Sequence, residues 1–328
     1  MKAILKSVSR SFYLTIRFLP RPLREPVALA YLLARATDTI ADTVNIPAAT
    51  RLTMLRAVRR VIGGDLDFNS VAEGLRDFSA RQSDPHERTL IENLGGCLDW
   101  LSKIDAADRT DIRDVLKTIV RGQELDLVRF GDPANAVPLR TSAELDEYTY
   151  LVAGCVGVFW TKLGFRHCPN FATRPPNEMT ALGIGYGEGL QLINVLRDRA
   201  SDTAAGRNYL PAEELAAASV ESVFSGWLGQ AEEKISAGID YCSALRNWRV
   251  RYATALPALI GARTIALLRA AGPKAEKLKV PRREVRRILF AALFAALSPL
   301  ALRALFQRLL ALPSGLSPGK FPGLRVTN

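Results

Sequence analysis

The stretch TDTIADT (residues 37–43) and, far downstream, LRDRASDTAAGRNYLP (residues 196–211) each hold two aspartates four apart, Asp38 and Asp42, then Asp198 and Asp202. On a helix, residues four apart share a face, with Cβ atoms roughly 6 Å from each other. Two like charges so placed destabilise the helix unless a cation or a basic side chain lies between them. The surrounding residues, YLLARATDTIAD and GYGEGLQLINVLRD, are largely apolar. An acidic helix built to face solvent would not have that composition. One such pair reads as a helix-end feature, or as partners for Arg35 or Arg197. Two pairs on two long apolar helices point instead to magnesium, which takes one or two carboxylates and completes its shell with water and substrate phosphate oxygens.

The rest of the composition agrees with an oxygen-ligand site. There are 2 histidines (His86, His167) and 4 cysteines without CxxC or zinc spacing. A histidine-rich metal centre and a disulfide framework are therefore both disfavoured. Aspartates, arginines and apolar walls together suggest prenyl diphosphate chemistry, in which the cations neutralise the leaving diphosphate and the walls keep water from a carbocation.

Outward from the aspartates the periodicity is helical almost throughout, and strict alternation is scarce. We expect an all-α single domain of roughly ten helices around a central apolar cavity. Pro26 is expected to open a helix over residues 27–42, and residues 50–62 to form the next, ended by Gly63-Gly64. Asp84-Pro85 starts a helix through HERTLIENLGGCLDWLSKI. Long helices are expected over 106–130, 142–163 (with Ser142 as N-cap) and 177–202. Residues 222–271 read as two helices hinged near Pro257, and 283–312 as the last. The expected organisation is a synthase domain over 1–287, a C-terminal apolar helix over 288–312 and a disordered tail over 313–328.

Four blocks then carry a resemblance: SRSFYLT (9–15), YLLARATDTIAD (31–42), YTYLVAGCVG (148–157) and GLQLINVLRDRASDTAAGRNYLP (189–211). In order and spacing they resemble the head-to-head isoprenoid synthases: squalene, phytoene and dehydrosqualene synthases. The resemblance implies the all-α isoprenoid synthase fold. It implies that Asp38, Asp42, Asn194, Asp198 and Asp202 bind magnesium and diphosphate, with Gln191 beside them. Ser9, Arg10, Arg35, Arg197 and Arg207 would contact diphosphate. Phe12, Tyr31, Val152 and Gly154 would line the prenyl pocket. Tyr148 matches a tyrosine assisting proton removal. Many squalene synthases carry a further acid before the last aspartate of each motif, where this chain has Ala41 and Ser201.

The reaction so implied joins two farnesyl diphosphates. One ionises at C1, the other's alkene captures the cation, and proton loss gives presqualene diphosphate. Squalene synthases then rearrange and reduce this with NADPH, dehydrosqualene and phytoene synthases lose a proton instead, and a further alternative stops at presqualene diphosphate or quenches the cation with water to give hydroxysqualene. LRNWRVRYATALPALIGARTIALL (245–268) resembles a squalene synthase block. The basic segment after it, KLKVPRREVRR (277–287), suggests Lys279 and Arg282 for a dinucleotide phosphate. No GxGxxG fingerprint is present.

The charge is uneven. Residues 240–328 hold 16 Lys/Arg against 3 Asp/Glu, and the rest 28 against 30. Such a basic third suits a solvated face, nucleic acid, anionic lipid or a phosphorylated small molecule. Nucleic acid is disfavoured because the basic excess accompanies apolar runs rather than exposed aromatic readers. The uncharged run 288–302 falls short of the roughly 20 residues of a membrane span. Flanked by arginines, it fits either a core helix or peripheral contact with an anionic leaflet. The N-terminus lacks a signal-peptide pattern, so a cytoplasmic location, with contact at the inner face of the membrane, is expected.

Overall fold

A computed structural model describes residues 2–9, 12–274 and 278–311, and the tail expectation over 313–328 lies outside them. Among the described residues there are sixteen α-helices and no strand, only a single bridge between Ala172 and Leu245. The helices are α1 Lys2–Ser9, α2 Phe12–Phe18, α3 Arg21–Asp42, α4 Ala48–Gly63, α5 Asn69–Arg81, α6 Pro85–Glu92, α7 Leu94–Lys103 and α8 Ala106–Phe130. They continue as α9 Ser142–Thr149, α10 Cys155–His167, α11 Pro176–Ala204, α12 Ala212–Ala217, α13 Val220–Ala244, α14 Trp248–Ala271, α15 Arg282–Ala295 and α16 Pro299–Ala311. A five-residue π turn, Tyr150–Gly154, joins α9 to α10.

Two apolar cores form the body. One gathers α3, α4, α7 and the first half of α8; the other gathers α11, α13, α14, α15 and α16. Leu127 belongs to the first and Phe130 and Tyr148 to the second, so the C-terminal end of α8 lies on their seam.

Several boundaries differ from expectation, each for a local reason. Helix α3 begins at Arg21, with Pro22 rather than Pro26 in the first turn, where a missing N–H costs nothing. Pro26 is buried inside the helix. The segment after Asp84 splits at Asn93 into α6 and α7. Thr141, not Ser142, caps α9, its hydroxyl accepting from the Glu144 N–H at 3.3 Å. The break within 222–271 falls at residues 245–247, where the Asn247 side chain caps α14 by accepting from the N–H groups of Arg249 and Val250.

Helix α14 then runs unbroken through Pro257 because Tyr186 of α11 repairs it. The Tyr186 hydroxyl donates to the Thr254 carbonyl at 2.7 Å and accepts from the Ala258 N–H at 2.9 Å, standing in for the bond the proline disturbs. Helix α14 is the one described helix long and apolar enough to cross a membrane, and 72% of its apolar window is buried in the bundle, as in a core helix. The final helix is broken before Pro299, giving α15 and α16, and the expected boundary at 287/288 falls inside α15. Ile288, Ala292, Leu302 and Phe306 are buried in the second core.

Candidate active site

A cavity of about 380 Å³ opens at the seam of the two cores, within the range of small-molecule sites. Helix α3 contributes Tyr31, Arg35, Asp38 and Asp42, α4 contributes Arg51, and α8 contributes Gln123 and Asp126. Tyr148, Val152 and Val156 come from the segment around the π turn, Gln191 from α11 and Arg207 from the loop after it. The π turn explains how Tyr148, Val152 and Val156 face one space. Residues four apart drift around an ordinary 3.6-residue helix, and a wider i→i+5 turn takes up that drift. Gly122 of α8 permits the contact, since a Cβ there would fall 2.6 Å from Val152 Cγ1.

On the α3 wall, Arg35 bonds Asp38 at 2.6 Å and also pairs with Glu87 of α6. The Asp38 side chain is 41% exposed, but it opens into a cavity walled by protein. Desolvation there, then the charge of Asp42, pushes its pKa up to about 6 against the pull of Arg35. Burial raises Asp42 too, opposed by Arg207, Arg35 and Arg51. Arg51 donates to the carbonyls of Ala41 at 2.5 Å and Ile46 at 2.9 Å, so it fastens the last turn of α3 and with it Asp42. Burial and then the charge of Arg207 lower the Arg51 pKa. Two guanidiniums repelling each other beside two strained carboxylates form a wall that an anion carrying cations would relax.

On the facing side, Tyr148 and Tyr209 stack with ring centroids 5.0 Å apart, and both hydroxyls donate to Asp126 Oδ2 at 3.1 Å. Burial pushes Asp126 up to about 7, although those two hydrogen bonds and Arg207 favour its ionised form. Arg207 is the electrostatic link between the walls. Burial lowers its pKa, and Tyr209, Asp42, Asp126 and Asp202 together outweigh that effect.

The second aspartate pair sits differently. Asp198 is clasped by its neighbour Arg197, with Nε donating to Oδ1 at 2.8 Å, and this bond contributes most to raising the Arg197 pKa. Burial raises Asp202, and Arg207 and Arg197 oppose the rise. Asn194 donates to Gln191 Oε1 at 3.3 Å on the same helix. Asn194, Arg197, Asp198 and Asp202 are not among the lining residues of the cavity, whereas Gln191 is. Gly154 faces α11, where a Cβ would meet Glu188 Cγ at 3.0 Å, so it serves a close helix contact rather than the cavity wall. Lys279 and Arg282 are exposed and lie outside the cavity lining. The expectations for Ser9, Arg10 and Phe12 fall on side chains outside those described.

Glu87, Arg51, Gln123, Asp126 and Tyr209 were missed in the sequence. Gln123 and Asp126 carried a usable signal, since they interrupt the apolar stripe Val120, Leu127, Phe130 of α8. No described group of three or more His, Cys, Asp or Glu converges as a metal site. Each aspartate pair thus offers two carboxylates at most, leaving the other positions to phosphate oxygens and water, as magnesium prefers. Arg35 Nε and Gln123 Oε1 are enclosed without a partner among the described residues, one a donor for an anion and the other an acceptor for a cation or its water. The donor set therefore fits magnesium and diphosphate.

The chain is 31% identical over 215 residues to the squalene synthase BSS of Botryococcus braunii, covering 65% of this chain and 41% of that protein. It is 29% identical over 215 residues to the 15-cis-phytoene synthase of Synechocystis sp., covering 63% of this chain and 53% of that protein. It thus spans about half the length of such relatives or less. The structure of TcSQS in complex with the ligand E5700 superposes with a TM-score of 0.73 at 23% identity, covering 94% of this chain and 88% of that one, a likeness of fold. The family model for squalene/phytoene synthase matches residues 5–286, nearly all of the described chain, and the protein belongs to that family.

Proposed function

We propose that the protein condenses two farnesyl diphosphates head to head, by way of presqualene diphosphate, and reduces the product to squalene with NADPH. The observation that supports this most is the cavity wall of Asp38, Asp42, Arg35 and Arg207 facing the Tyr148–Asp126 pair. Magnesium, when bound, supplies charge neutralisation to the departing diphosphate. Asp38 and Asp42 would hold it from α3, and Asn194, Asp198 and Asp202 from α11. Arg35 and Arg207 bind the phosphate oxygens bidentately or singly, as guanidinium geometry allows. Val152 and Val156 shield the cation from water.

Proton removal falls to Tyr148. Its hydroxyl takes the substrate proton while passing its own to Asp126 Oδ2. A carboxylate pushed up to about 7 is a matched acceptor at neutral pH. Tyr209 holds the acceptor oxygen in place by its second hydrogen bond.

A second reading ends at dehydrosqualene or phytoene without reduction. The exposed positions of Lys279 and Arg282, off the cavity lining, favour it. NADPH would meet Lys279 and Arg282 through its phosphates. Purified protein incubated with farnesyl diphosphate and Mg²⁺, with and without NADPH, separates the two by mass spectrometry. Squalene made only with NADPH supports the first reading, and dehydrosqualene made regardless of NADPH supports the second. Geranylgeranyl diphosphate consumed in place of farnesyl diphosphate would point to phytoene. Contact with a membrane rests on other residues, those of α15 and α16.

A further inference from the structure

A second cavity, about 420 Å³, lies between α4 and α8, and no residue lines both it and the seam cavity. The same two helices carry both. Arg51 and Asp126 mark the seam end, and Arg60 and Lys117, nine residues off along each helix or about 14 Å, mark the other. The volume is that of a small-molecule site. Nothing in the proposed condensation uses it.

Its walls are charged and its base is apolar. Helix α4 supplies Arg59 and Arg60, the turn after it Asp65, and α8 supplies Arg113, Asp114 and Lys117. Ile62, Leu116 and Val120, all buried, close the base. Arg60, in the last turn of α4, suits that helix's dipole. The dipole does not account for Arg113 and Lys117, which stand four apart on one face of α8, where like charges repel. Arg113 is also held in place. Its Nε donates to the Ile62 carbonyl at 2.9 Å, and a Cβ on Gly64 would stand 3.0 Å from its Nη2. Gly64 has φ +90°, so α4 ends on a left-handed glycine that leaves room for the guanidinium.

Pairing sets this cavity apart from an ordinary charged surface. Arg59 is answered by Glu124, which also takes Arg56. Among the described residues, no ion pair answers Arg60, Lys117, Asp65 or Asp114, and Arg113 engages only its Nε. Opposite charges that line one cavity without reaching each other suit a ligand with acceptors for the cations and donors for the acids. A bare phosphate offers the cations their acceptors, but the two carboxylates repel it. A phosphate ester with hydroxyls on a compact carbon body offers both, and the body rests on the apolar base. Guanidinium and ammonium contacts to phosphate are charge-assisted and so among the stronger hydrogen bonds.

We propose that the α4–α8 cavity binds a small hydroxylated phosphate ester, with its phosphate on Arg60, Arg113 and Lys117 and its hydroxyls on Asp65 and Asp114. This inference does not depend on the catalytic reading. The test uses the full chain in magnesium-free buffer of low ionic strength, with ribose 5-phosphate and inorganic phosphate as probes. Calorimetry should find the ester bound on the order of tenfold tighter than inorganic phosphate. The ester should also shield Lys117 from acetylation, read by mass spectrometry of its peptide. Arg60→Gln with Lys117→Gln is expected to weaken ester binding roughly tenfold or more. Both side chains are exposed, and should that variant still fail to fold, the shielding of Lys117 in wild type decides. Asp65→Ala with Asp114→Ala should bring the ester down to the level of inorganic phosphate. Arg207→Gln should leave ester binding unchanged. Unshielded Lys117, equal affinity for the two probes, or equal binding by wild type and the Arg60/Lys117 variant overturns the proposal. Ester binding lost in Arg207→Gln also overturns it, by placing the ligand in the seam cavity. Turnover of prenyl diphosphate in ester-free buffer should be unchanged in the Arg60/Lys117 variant, which keeps a failure here distinct from a failure of the catalytic reading.

Discussion

Asp38 and Asp198 head two motifs of equal spacing, and their side chains are almost equally exposed, 41% and 43%. Their surroundings differ. Asp38 looks into a walled cavity beside Asp42, and its carboxylate is costly to ionise there even though Arg35 bonds it at 2.6 Å. Asp198 is already held by the arginine next to it in sequence. Spacing thus created two similar carboxylate pairs, and the neighbouring elements gave them different tasks. The α3 pair is the more strained one, and the proposed reaction places cations and diphosphate on it. The α11 pair reaches the cavity through Arg207, whose loop N–H also bonds the Asp202 carbonyl at 2.8 Å.

The sharpest way to break this comparison is to neutralise each pair. Asp38→Asn should cut turnover on the order of a thousandfold, since it removes a charge-stabilising ligand position of the transition state. It should also raise the melting temperature in metal-free buffer above pH 6. The sign follows from the raised pKa. An acid whose folded pKa exceeds its unfolded value stabilises the fold while protonated, and that contribution is lost as pH rises through about 6. Thermal melts of wild type and variant at pH 5 and pH 8 check it: the gap should be wider at the higher pH. Asp198→Asn should cost less turnover than Asp38→Asn, because Arg197 already balances the charge it removes.

Next in size is the proton acceptor. Asp126→Asn and Tyr148→Phe should each slow turnover about a hundredfold, the usual worth of a positioned acid or base. If Tyr148 acts through Asp126, the double variant should lose little more than either single one. Arg207→Gln should follow with a loss of about tenfold to a hundredfold, roughly the worth of one charge-assisted contact. Because Arg207 opposes the rise of both Asp42 and Asp202, its removal should shift the acid limb of the pH–rate profile upward. Arg197→Gln should have the smallest effect, less than tenfold, since its half-exposed ion pair lies off the cavity lining and such pairs contribute little. An Arg197 effect larger than that of Arg207 would reverse the ranking of the two regions.

Much of this was legible in the chain. The apolar periodicity gave the all-helical fold, and α8 runs over Ala106–Phe130 as expected. The aspartate pairs stood out because local spacing puts carboxylates on apolar helices, whereas Arg35, Tyr148 and Arg207 were assigned by the resemblance of their sequence blocks. What stayed hidden depends on tertiary neighbours. Pro257 reads as a hinge until Tyr186 is seen to bridge Thr254 and Ala258 from another helix. Asp126, one of four aspartates in the 25-residue α8, gives no sign that two tyrosines, 22 and 83 residues away, converge on one of its oxygens. Gly154 sits in a matching block, yet only the packing of α11 shows which neighbour it meets.

The central claim is that the seam cavity joins two prenyl diphosphates on the Asp38–Asp42 wall. The most direct test is mass spectrometry of products from wild type and Asp38→Asn given farnesyl diphosphate, with Mg²⁺ or with EDTA. The account expects presqualene diphosphate or its hydrocarbon descendants from wild type with Mg²⁺ alone, and almost none from the variant or with chelator. Unchanged farnesyl diphosphate in every tube, repeated with geranylgeranyl diphosphate, or equal product from the variant, would contradict it.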